Sequence, residues 1–246
     1  MQIDGRVAVV TGAGAGIGAA IARRLAQEGA ALVVADIDEG AGGTTAEAIT
    51  AAGGRAVFVP ADVGRAGDVE AMVEVTMRTF GRVDIVVNNA GIVANPGFPH
   101  TDPEVWMRVV DVNLRGVMFG THYAIRAMGD GGGGAIVNIA SLAGVGLHPH
   151  PAPEYAATKA AVVRFSAALA PLAQELGIRV NCVCPDWVDT PMSRRGRARM
   201  SAAELAAVVP PVLLQPEEIA DAVVELVSDD SLSGRVMCCW CDQPRS

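Results

Sequence analysis

The chain has 246 residues, of which 51% are apolar and 19% are charged, so it is long enough to bury a sizeable core. Its formal net charge of -8 at pH 7 makes nucleic acids and anionic membranes poor candidate partners. The first residues include Asp4 and a glycine cluster where an export signal would have an unbroken apolar core, so we expect a cytoplasmic protein.

Short apolar runs rich in β-branched residues alternate with longer alanine-rich stretches along the chain. The runs are nearly continuous in apolar residues, as strands buried on both faces should be, and we predict strands at 6–10, 31–35, 56–60, 83–87, 135–139, 178–183 and 234–239. We predict the intervening helices at 17–28, 39–52, 66–80, 103–128, 154–176 and 216–228, with a kink at Pro171. This alternation predicts one α/β domain over residues 1–246, with a doubly wound parallel sheet and helices on both faces.

The five cysteines are expected to be free thiols, because disulfides are rare in the cytoplasm. Cys182 and Cys184 alternate along a predicted strand, while Cys238, Cys239 and Cys241 lie near the end of the chain. The ligand spacing that is typical of structural zinc sites is absent. We therefore expect no metal site.

The segment TGAGAGIG follows the first predicted strand and opens the first predicted helix. Gly12, Gly16 and Gly18 would let the backbone turn sharply and allow a pyrophosphate to approach the helix N-terminus without Cβ clashes. Asp36 ends the second predicted strand, where a carboxylate can hydrogen-bond the ribose hydroxyls of adenosine. The alternative for Asp36 is an ordinary solvated loop acid. Together these features predict a dinucleotide-binding site.

Tyr155 lies four residues before Lys159 in an alanine-rich helical stretch, so the two side chains share one helix face. Taken alone, such a pair is most often a packed ring beside a lysine that extends to solvent. A free phenol has a pKa of about 10, which is too high for a base near neutrality. A cation one helical turn away is expected to lower that pKa, which would make the pair suitable for acid–base catalysis.

These motifs and several others, in the same order, resemble the short-chain dehydrogenase/reductase family over nearly the whole chain. The other motifs are DV at 62–63, NNAG at 88–91, Asn113 in DVNLRG, Ser141 in NIAS, YAATK at 155–159 and RVNCVCP at 179–185. The resemblance implies a Rossmann-like fold, a nicotinamide dinucleotide cofactor and hydride transfer to or from the carbon of an alcohol or ketone. It also implies a homotetramer or, failing that, a homodimer.

The resemblance assigns roles to particular residues. Tyr155 is implied to be the general acid/base, and Lys159 to assist it and to hold the nicotinamide ribose. Ser141 is implied to polarise the substrate oxygen, and Asn113 to hold a water in a proton relay behind Lys159. Cofactor contacts are implied for Tyr155 and Lys159 and also for Gly12, Ala15, Gly16, Ile17, Gly18, Asp36, Ile37, Asp62, Val63, Asn89, Ala90, Gly91, Pro185, Val188 and Thr190.

The chain departs from the family pattern in three places. Ser141 and Tyr155 are 14 residues apart, one more than the family spacing, and Asp186 follows Pro185 where the family has glycine. The C-terminal tail lacks the usual pair of glycines.

The substrate pocket is expected to be built by the variable segments at 92–101, 143–153 and 186–211, the last of which is predicted to form a lid. We expect His148, His150 and Trp187, which lie in these segments, to be pocket wall or surface rather than extra acid/base groups.

The predicted reaction is hydride transfer between NAD(H) and a hydrophobic secondary alcohol or ketone. Asp36 favours NAD because its carboxylate would repel a 2′-phosphate, and Ile37 supplies no cation to attract one. One alternative is an NADPH-dependent ketoreductase of a biosynthetic pathway. The other is a dinucleotide-binding sensor without catalysis, which the presence of every implied catalytic residue argues against.

Overall fold

The computed structural model describes residues 1–94, 98–129, 132–147 and 149–246. Its seven strands are β1 (Val7–Thr11), β2 (Ala31–Asp36), β3 (Arg55–Pro60), β4 (Ile85–Asn88), β5 (Gly134–Ile139), β6 (Ile178–Pro185) and β7 (Val236–Cys239). They form one parallel sheet with the order β3-β2-β1-β4-β5-β6-β7. The predicted doubly wound parallel sheet is therefore confirmed.

Helices connect the strands on both faces of the sheet. They are α1 (Gly16–Gln27), α2 (Glu39–Ala51), α3 (Ala66–Phe80), α4 (Pro103–Val110), α5 (Gly116–Gly129), α6 (Pro153–Ala168), α7 (Leu172–Glu175), α8 (Pro191–Arg197), α9 (Ala202–Val208) and α10 (Pro216–Ser228). A π-helical turn, Asp111–Arg115, joins α4 to α5, and a 3-10 turn, Leu142–Gly144, follows β5. Within the described part of the chain, no helix is long and apolar enough to cross a membrane.

Alternate residues of the buried strands pack into two different apolar layers. On β1, Ala8 and Val10 belong to the layer that contains α1, α2 and α10, whereas Val9 belongs to the layer that contains α3 and α5. Period-two alternation of side chains across a strand produces this division. Because most strand residues are covered on both faces, the strands are predominantly apolar, which is the pattern that the sequence shows.

Two predicted helices differ from the structure. The helix predicted at 103–128 is interrupted by the π-helical turn, which contains the fully buried Asn113. The helix predicted at 154–176 ends at Ala168, and Pro171 stands before the short helix α7, because proline cannot donate the backbone hydrogen bond that would continue α6. The segment 186–211, predicted as a lid, contains the short helices α8 and α9.

The strand order reverses between β1 and β4, since β1 pairs with β2 on one side and with β4 on the other. In doubly wound sheets, ligands bind outside the carboxyl ends of the strands at such a point. The carboxyl ends of these strands are Thr11 and Asn88, and the neighbouring β5 ends at Ile139. The segments after these three residues therefore form the candidate site.

Candidate active site

The loop after β1 approaches the loop after β4 too closely for any side chain at its glycines. Gly12 has a φ of +63°, and a Cβ atom there would lie 2.8 Å from the Cα of Ala90. A Cβ atom on Gly18 would overlap the carbonyl oxygen of Gly12. The loop therefore presents bare backbone at the start of α1, which is the cradle that a pyrophosphate requires.

Thr11 ties these two loops together and was missed by the sequence analysis. Its Oγ1 accepts hydrogen bonds from the backbone N–H groups of Asn89 at 3.0 Å and Ala90 at 3.1 Å. The Asn89 side chain in turn donates to the carbonyl oxygens of Thr11 at 2.8 Å and Gly12 at 3.1 Å. The only sequence signal for this role is that Thr11 directly precedes Gly12.

Asp36 lies at the end of β2 with its carboxylate turned toward the glycine loop. Its Oδ2 accepts a hydrogen bond from the Gly14 N–H at 2.7 Å, and its Oδ1 accepts one from the Asp38 N–H at 2.9 Å. Ile37, the next residue, is 66% exposed. A carboxylate beside the glycine loop fits the ribose end of a dinucleotide.

Asp62 and Val63 lie after β3, beside the π-helical turn. Arg108 Nη2 donates to Asp62 Oδ1 at 2.6 Å, and the Gly64 N–H donates to the same oxygen at 3.0 Å. Burial raises the pKa of the Asp62 carboxyl, but these hydrogen bonds and the positive charges nearby outweigh it, so the pKa lies below its usual value. Val63 is buried and lies close to Gly116.

The segment after β6 faces the glycine loop from the other side. Thr190 caps α8 by accepting a hydrogen bond from the Ser193 N–H at 3.1 Å, and a Cβ atom on Gly16 would lie 3.2 Å from Thr190 Cγ2. Pro185 is buried at the end of β6, and Val188 pairs with Leu214. Ala15 and Ile17 lie at the start of α1.

Tyr155 and Lys159 lie on the same face of α6, as predicted. Lys159 is only 3% exposed, and its Nζ donates a hydrogen bond of 2.8 Å to the carbonyl oxygen of Ile139 at the end of β5. The same nitrogen lies 5.7 Å from the centre of the Tyr155 ring. Burial lowers the pKa of Lys159 to about 8.

The pKa of Tyr155 differs from the expectation drawn from its sequence neighbour. Desolvation by burial raises this pKa above the usual 10.0, a hydrogen bond with Ser141 acts in the opposite direction, and Cys184 raises it further. Burial therefore outweighs the lowering of the Tyr155 pKa that the neighbouring cation was expected to cause. Ser141 also accepts a hydrogen bond of 3.1 Å from the Ala143 N–H, which fixes the 3-10 turn after β5.

The side-chain amide of Asn113 hydrogen-bonds the backbone of the loop after β4. Its Oδ1 accepts from the Ile92 N–H at 2.8 Å, and its Nδ2 donates to the Ile92 carbonyl at 2.9 Å. Thr158 connects it to α6, because Thr158 Oγ1 lies 3.4 Å from Asn113 Nδ2 and donates to the Tyr155 carbonyl at 2.7 Å. The Asn113 side chain therefore connects the loop after β4 to α6. Turns of the π type inside helices are frequent at functional sites.

Gly91 lies beside two of the residues that are implied to be catalytic. A Cβ atom there would lie 3.5 Å from both Asn113 Oδ1 and Lys159 Nζ. The structure thus brings the glycine loop, the loop after β4 and α6 together at one edge of the sheet.

Comparison with known proteins agrees with this arrangement. The family model described as short chain dehydrogenase matches residues 6–201. The chain belongs to the short-chain dehydrogenase/reductase family. It is therefore an oxidoreductase, and it has the fold of a family that binds nicotinamide dinucleotides.

Two enzymes and one solved structure illustrate the similarity. The chain is 41% identical to a cis-4-hydroxycyclohexanecarboxylate dehydrogenase of Sinomonas cyclohexanicum, with 91% of this chain and 90% of the relative covered. It is 39% identical to a cyclohexanol dehydrogenase of an Acinetobacter strain, with 94% and 90% covered. A short-chain type dehydrogenase/reductase from Mycobacterium marinum has a TM-score of 0.88 and 30% identity, with 96% of this chain and 94% of that chain covered.

Two of the three residues expected to line the substrate pocket lie in the described part of the chain. His150 stacks on the Tyr155 ring, with ring centres 5.9 Å apart and planes inclined by 27°. Trp187 is partly buried, and its carbonyl accepts a hydrogen bond from the Leu214 N–H at 3.0 Å. His148 lies outside the described residues.

Asp186, the unexpected acid after β6, is bound to the C-terminal tail. Its backbone N–H donates to the Cys239 carbonyl at 2.9 Å, and its Oδ2 accepts from the Cys241 N–H at 3.4 Å. The C-terminal tail therefore holds the start of the segment 186–211. The sequence analysis noted the missing glycine pair of the tail but did not predict this contact.

The cysteines are free thiols, and two of them lie beneath the site. Cys182 and Cys184 project from the same face of β6 with their sulfur atoms 4.0 Å apart. Burial and the neighbouring thiol raise the pKa of Cys184. In the part of the chain that the structure describes, three or more His, Cys, Asp or Glu side chains are nowhere grouped so that they could hold a metal ion.

An apolar cavity of about 420 Å³ lies between α4 and α6. It is lined by Phe98, Trp106, Val110, Leu114, Pro153, Glu154, Ala157 and Thr158. Neither Tyr155 nor Ser141 lines it, so we do not assign the substrate to this cavity.

Proposed function

We propose that the protein is an NAD-dependent dehydrogenase that interconverts a hydrophobic secondary alcohol and its ketone. The observation that carries the proposal is the convergence of Tyr155, Ser141, Lys159 and Asn113 beside the glycine loop, with the Asp36 carboxylate at the far end of that loop.

Asp36 supports NAD as the cofactor. The carboxylate accepts a hydrogen bond from Gly14, so it is fixed beside the glycine loop, where a 2′-phosphate would meet its negative charge. Ile37 is exposed and offers no positive charge to compensate. The ribose hydroxyls of NAD can instead donate hydrogen bonds to this carboxylate. An NADPH-dependent ketoreductase remains the alternative, and Asp36 argues against it.

The side chains around Tyr155 supply a route for the proton of the substrate hydroxyl. The bound nicotinamide supplies hydride acceptance in alcohol oxidation and hydride donation in ketone reduction. Tyr155 Oη must be the phenolate to accept the hydroxyl proton during oxidation, and as the phenol it returns that proton during reduction. Ser141 hydrogen-bonds the same substrate oxygen. The Lys159 ammonium stabilises the phenolate, and it can release one of its own protons to a water at Asn113 and then take up the phenol proton in its place.

The substrate class follows from the surroundings of the phenol and from the relatives. Two similar proteins are named as dehydrogenases of cyclohexanol and of a hydroxycyclohexane carboxylate. The partly buried Trp187 and the stacked His150 give this chain aromatic groups in the segments predicted to form the pocket. We therefore propose a cyclic secondary alcohol as substrate. We also propose a homotetramer as the assembly and the cytoplasm as the location.

The test is a panel of cyclic and linear secondary alcohols with NAD⁺ or NADP⁺, and of the matching ketones with NADH or NADPH. Absorbance of the reduced nicotinamide reports turnover, and Tyr155→Phe is the matched blank. We expect NAD⁺-dependent oxidation of cyclohexanol or a substituted cyclohexanol. Turnover of ketones with NADPH alone would select the ketoreductase instead. Cofactor binding without turnover of any compound would select the sensor.

A further inference from the structure

The first turn of α6 carries Tyr155 but has no side-chain cap. The N-cap residue of α6 is Ala152, whose methyl group cannot accept a hydrogen bond, and Pro153 follows it. The first N–H groups of a helix have no partner within the helix, so uncapped ends fray. Tyr155 therefore depends on contacts from outside α6 to keep its orientation.

His150 makes two such contacts. Its Nδ1 lies 3.1 Å from both the nitrogen and the oxygen of Ala152. An unprotonated Nδ1 accepts from the Ala152 N–H, and a protonated Nδ1 donates to the Ala152 carbonyl, so the contact persists in either state. The same imidazole stacks on the Tyr155 ring at 5.9 Å, within the range of offset aromatic pairs. His150 thus joins the helix start to the phenol.

Contacts from the 3-10 turn and the residue before it restrain α6 as well. A Cβ atom on Gly144 would overlap the backbone of Lys159, so the turn packs directly against α6. Ser141, at the start of this turn, is close enough to the phenol to lower its pKa. A hydrogen bond to one oxygen leaves the ring free to tilt, whereas a stacked neighbour restrains its plane.

We propose that His150 is a positioning residue for Tyr155, which holds the phenol ring so that its hydroxyl stays beside Ser141. This inference rests on the proposed function of Tyr155 as the acid/base. The segment between Ser141 and Tyr155 is one residue longer than the family spacing. The proposal gives this segment a part in catalysis. The restraint comes from the stack, and the Nδ1 contact with Ala152 is a separate contact with the helix start.

The kinetic test separates the stack from the contact with Ala152. His150→Phe keeps an aromatic ring, His150→Asn keeps an acceptor for the Ala152 N–H, and His150→Ala removes both. With cyclohexanol or the best alcohol of the panel and NAD⁺, we expect kcat of His150→Ala to fall by about 3- to 10-fold, the range that an aromatic pair contributes. The KM for NAD⁺ should stay unchanged. His150→Phe should return kcat to within about twofold of wild type, and His150→Asn should behave as His150→Ala.

Two results would overturn the proposal. His150→Phe as slow as His150→Ala would show that the stack does not position the phenol. His150→Asn as fast as wild type would assign the effect to the Ala152 contact. Thermal unfolding of each variant identifies any that fails to fold.

A second measurement does not depend on activity. The chain has two tyrosines, so protein labelled with 3-fluorotyrosine should give two ¹⁹F resonances, and Tyr155→Phe identifies the one from Tyr155. Ring stacking shifts that resonance. We expect it to move in His150→Ala and to stay near its wild-type position in His150→Phe. If wild type oxidises no alcohol, the proposed function is wrong, and this spectrum still tests the stack. If the Tyr155 resonance does not move in His150→Ala, only the proposed stack is contradicted.

Discussion

The ammonium of Lys159 lies 5.7 Å from the centre of the Tyr155 ring, yet it donates its 2.8 Å hydrogen bond to the carbonyl of Ile139. α6 is thereby fastened to the end of β5 through the residue that is proposed to assist the phenol. Because the pKa of Lys159 is about 8, the ammonium form predominates at neutral pH. The positive charge near Tyr155 is therefore held in place by the sheet.

Removal of the phenol oxygen should abolish most turnover while leaving the fold intact. Tyr155→Phe retains the ring that stacks on His150 and loses only the proton-transfer group. General acid–base groups contribute roughly 10²- to 10⁴-fold, so kcat should fall by at least 100-fold. NAD affinity, measured by calorimetry, should change little.

Two variants accompany this measurement. Tyr123→Phe alters the other tyrosine, which packs edge-on against His122, and it should leave kcat within about twofold of wild type because it touches no proposed site residue. Lys159→Ala should lower kcat and also weaken NAD binding. If Tyr155→Phe lowers kcat by less than about threefold, the loss is far smaller than an acid–base group contributes. The Tyr155 side chain would then be only a packed ring.

Cofactor preference should follow the charge at the end of β2. We expect wild type to have a higher kcat/KM with NAD⁺ than with NADP⁺, and the pair Asp36→Ala with Ile37→Arg to shift the ratio toward NADP⁺. The double variant removes a carboxylate that would repel a 2′-phosphate and adds a guanidinium that can bind it.

A nearby carboxylate provides the control for this experiment. Asp38 caps α2 by accepting from the Ala41 N–H at 3.0 Å, and Asp38→Asn removes its charge while keeping an acceptor. Its effect on the ratio should be less than about threefold, because exposed charges are screened by salt. A wild-type preference for NADP⁺ would contradict the assignment of Asp36.

Much of the fold could be predicted from the sequence because the sheet is buried on both faces. All eight residues of β6 are buried, and all but Arg179 and Asn181, which donate to backbone carbonyl groups, are apolar. The short helices α8 and α9 were not predicted, because each has only 7 residues, too few for an apolar period to be recognised. Their capping boxes are the local signal that could have located them.

The sequence predicts those positions of the candidate site residues that depend on local spacing. It does not predict the contacts that depend on tertiary packing. The shared face of Tyr155 and Lys159 follows from helical periodicity. The raised pKa of Tyr155 could not be predicted, because burial depends on segments that are distant in sequence. The role of Thr11 and the stack of His150 on Tyr155 likewise appear only when separate loops meet.

Gly18 should tolerate no side chain, unlike a glycine in open space. Gly18→Ala would place its methyl against the Gly12 carbonyl, which should lower the free energy of unfolding by about 1–3 kcal/mol through overpacking. In α3, nothing lies within 4 Å of a Cβ atom on Gly67. Gly67→Ala should therefore be neutral or stabilise by up to about 1 kcal/mol. Chemical denaturation measures both, and equal effects would contradict the close approach of Gly18 to the Gly12 carbonyl.

The assembly should depend on apolar side chains that one chain leaves exposed. Val105, Met107 and Met118 are 43–44% exposed on α4 and α5, the helices that replace the one predicted at 103–128. We expect sedimentation at micromolar concentration to show a tetramer or dimer, and Met107→Glu with Met118→Lys to shift it toward monomer. As a control, Leu176→Lys changes a 44% exposed residue beyond α7 and should leave the oligomeric state unchanged. A monomeric wild type would refute the prediction.

The stability of the protein should depend on pH through Lys159. Its pKa of about 8 lies below the usual 10.5, so the native state disfavours the charged form. Below pH 8 the lysine is charged in both states and the cost of burying it is fully present. Between pH 8 and 10.5 only the unfolded state keeps the proton, so native stability increases with pH. Lys159→Met lacks this dependence. The free energy of unfolding of wild type, relative to Lys159→Met, should rise by about 2 kcal/mol from pH 7 to pH 9.5. Urea denaturation at several pH values measures the difference; a constant difference would show that the ammonium is not desolvated.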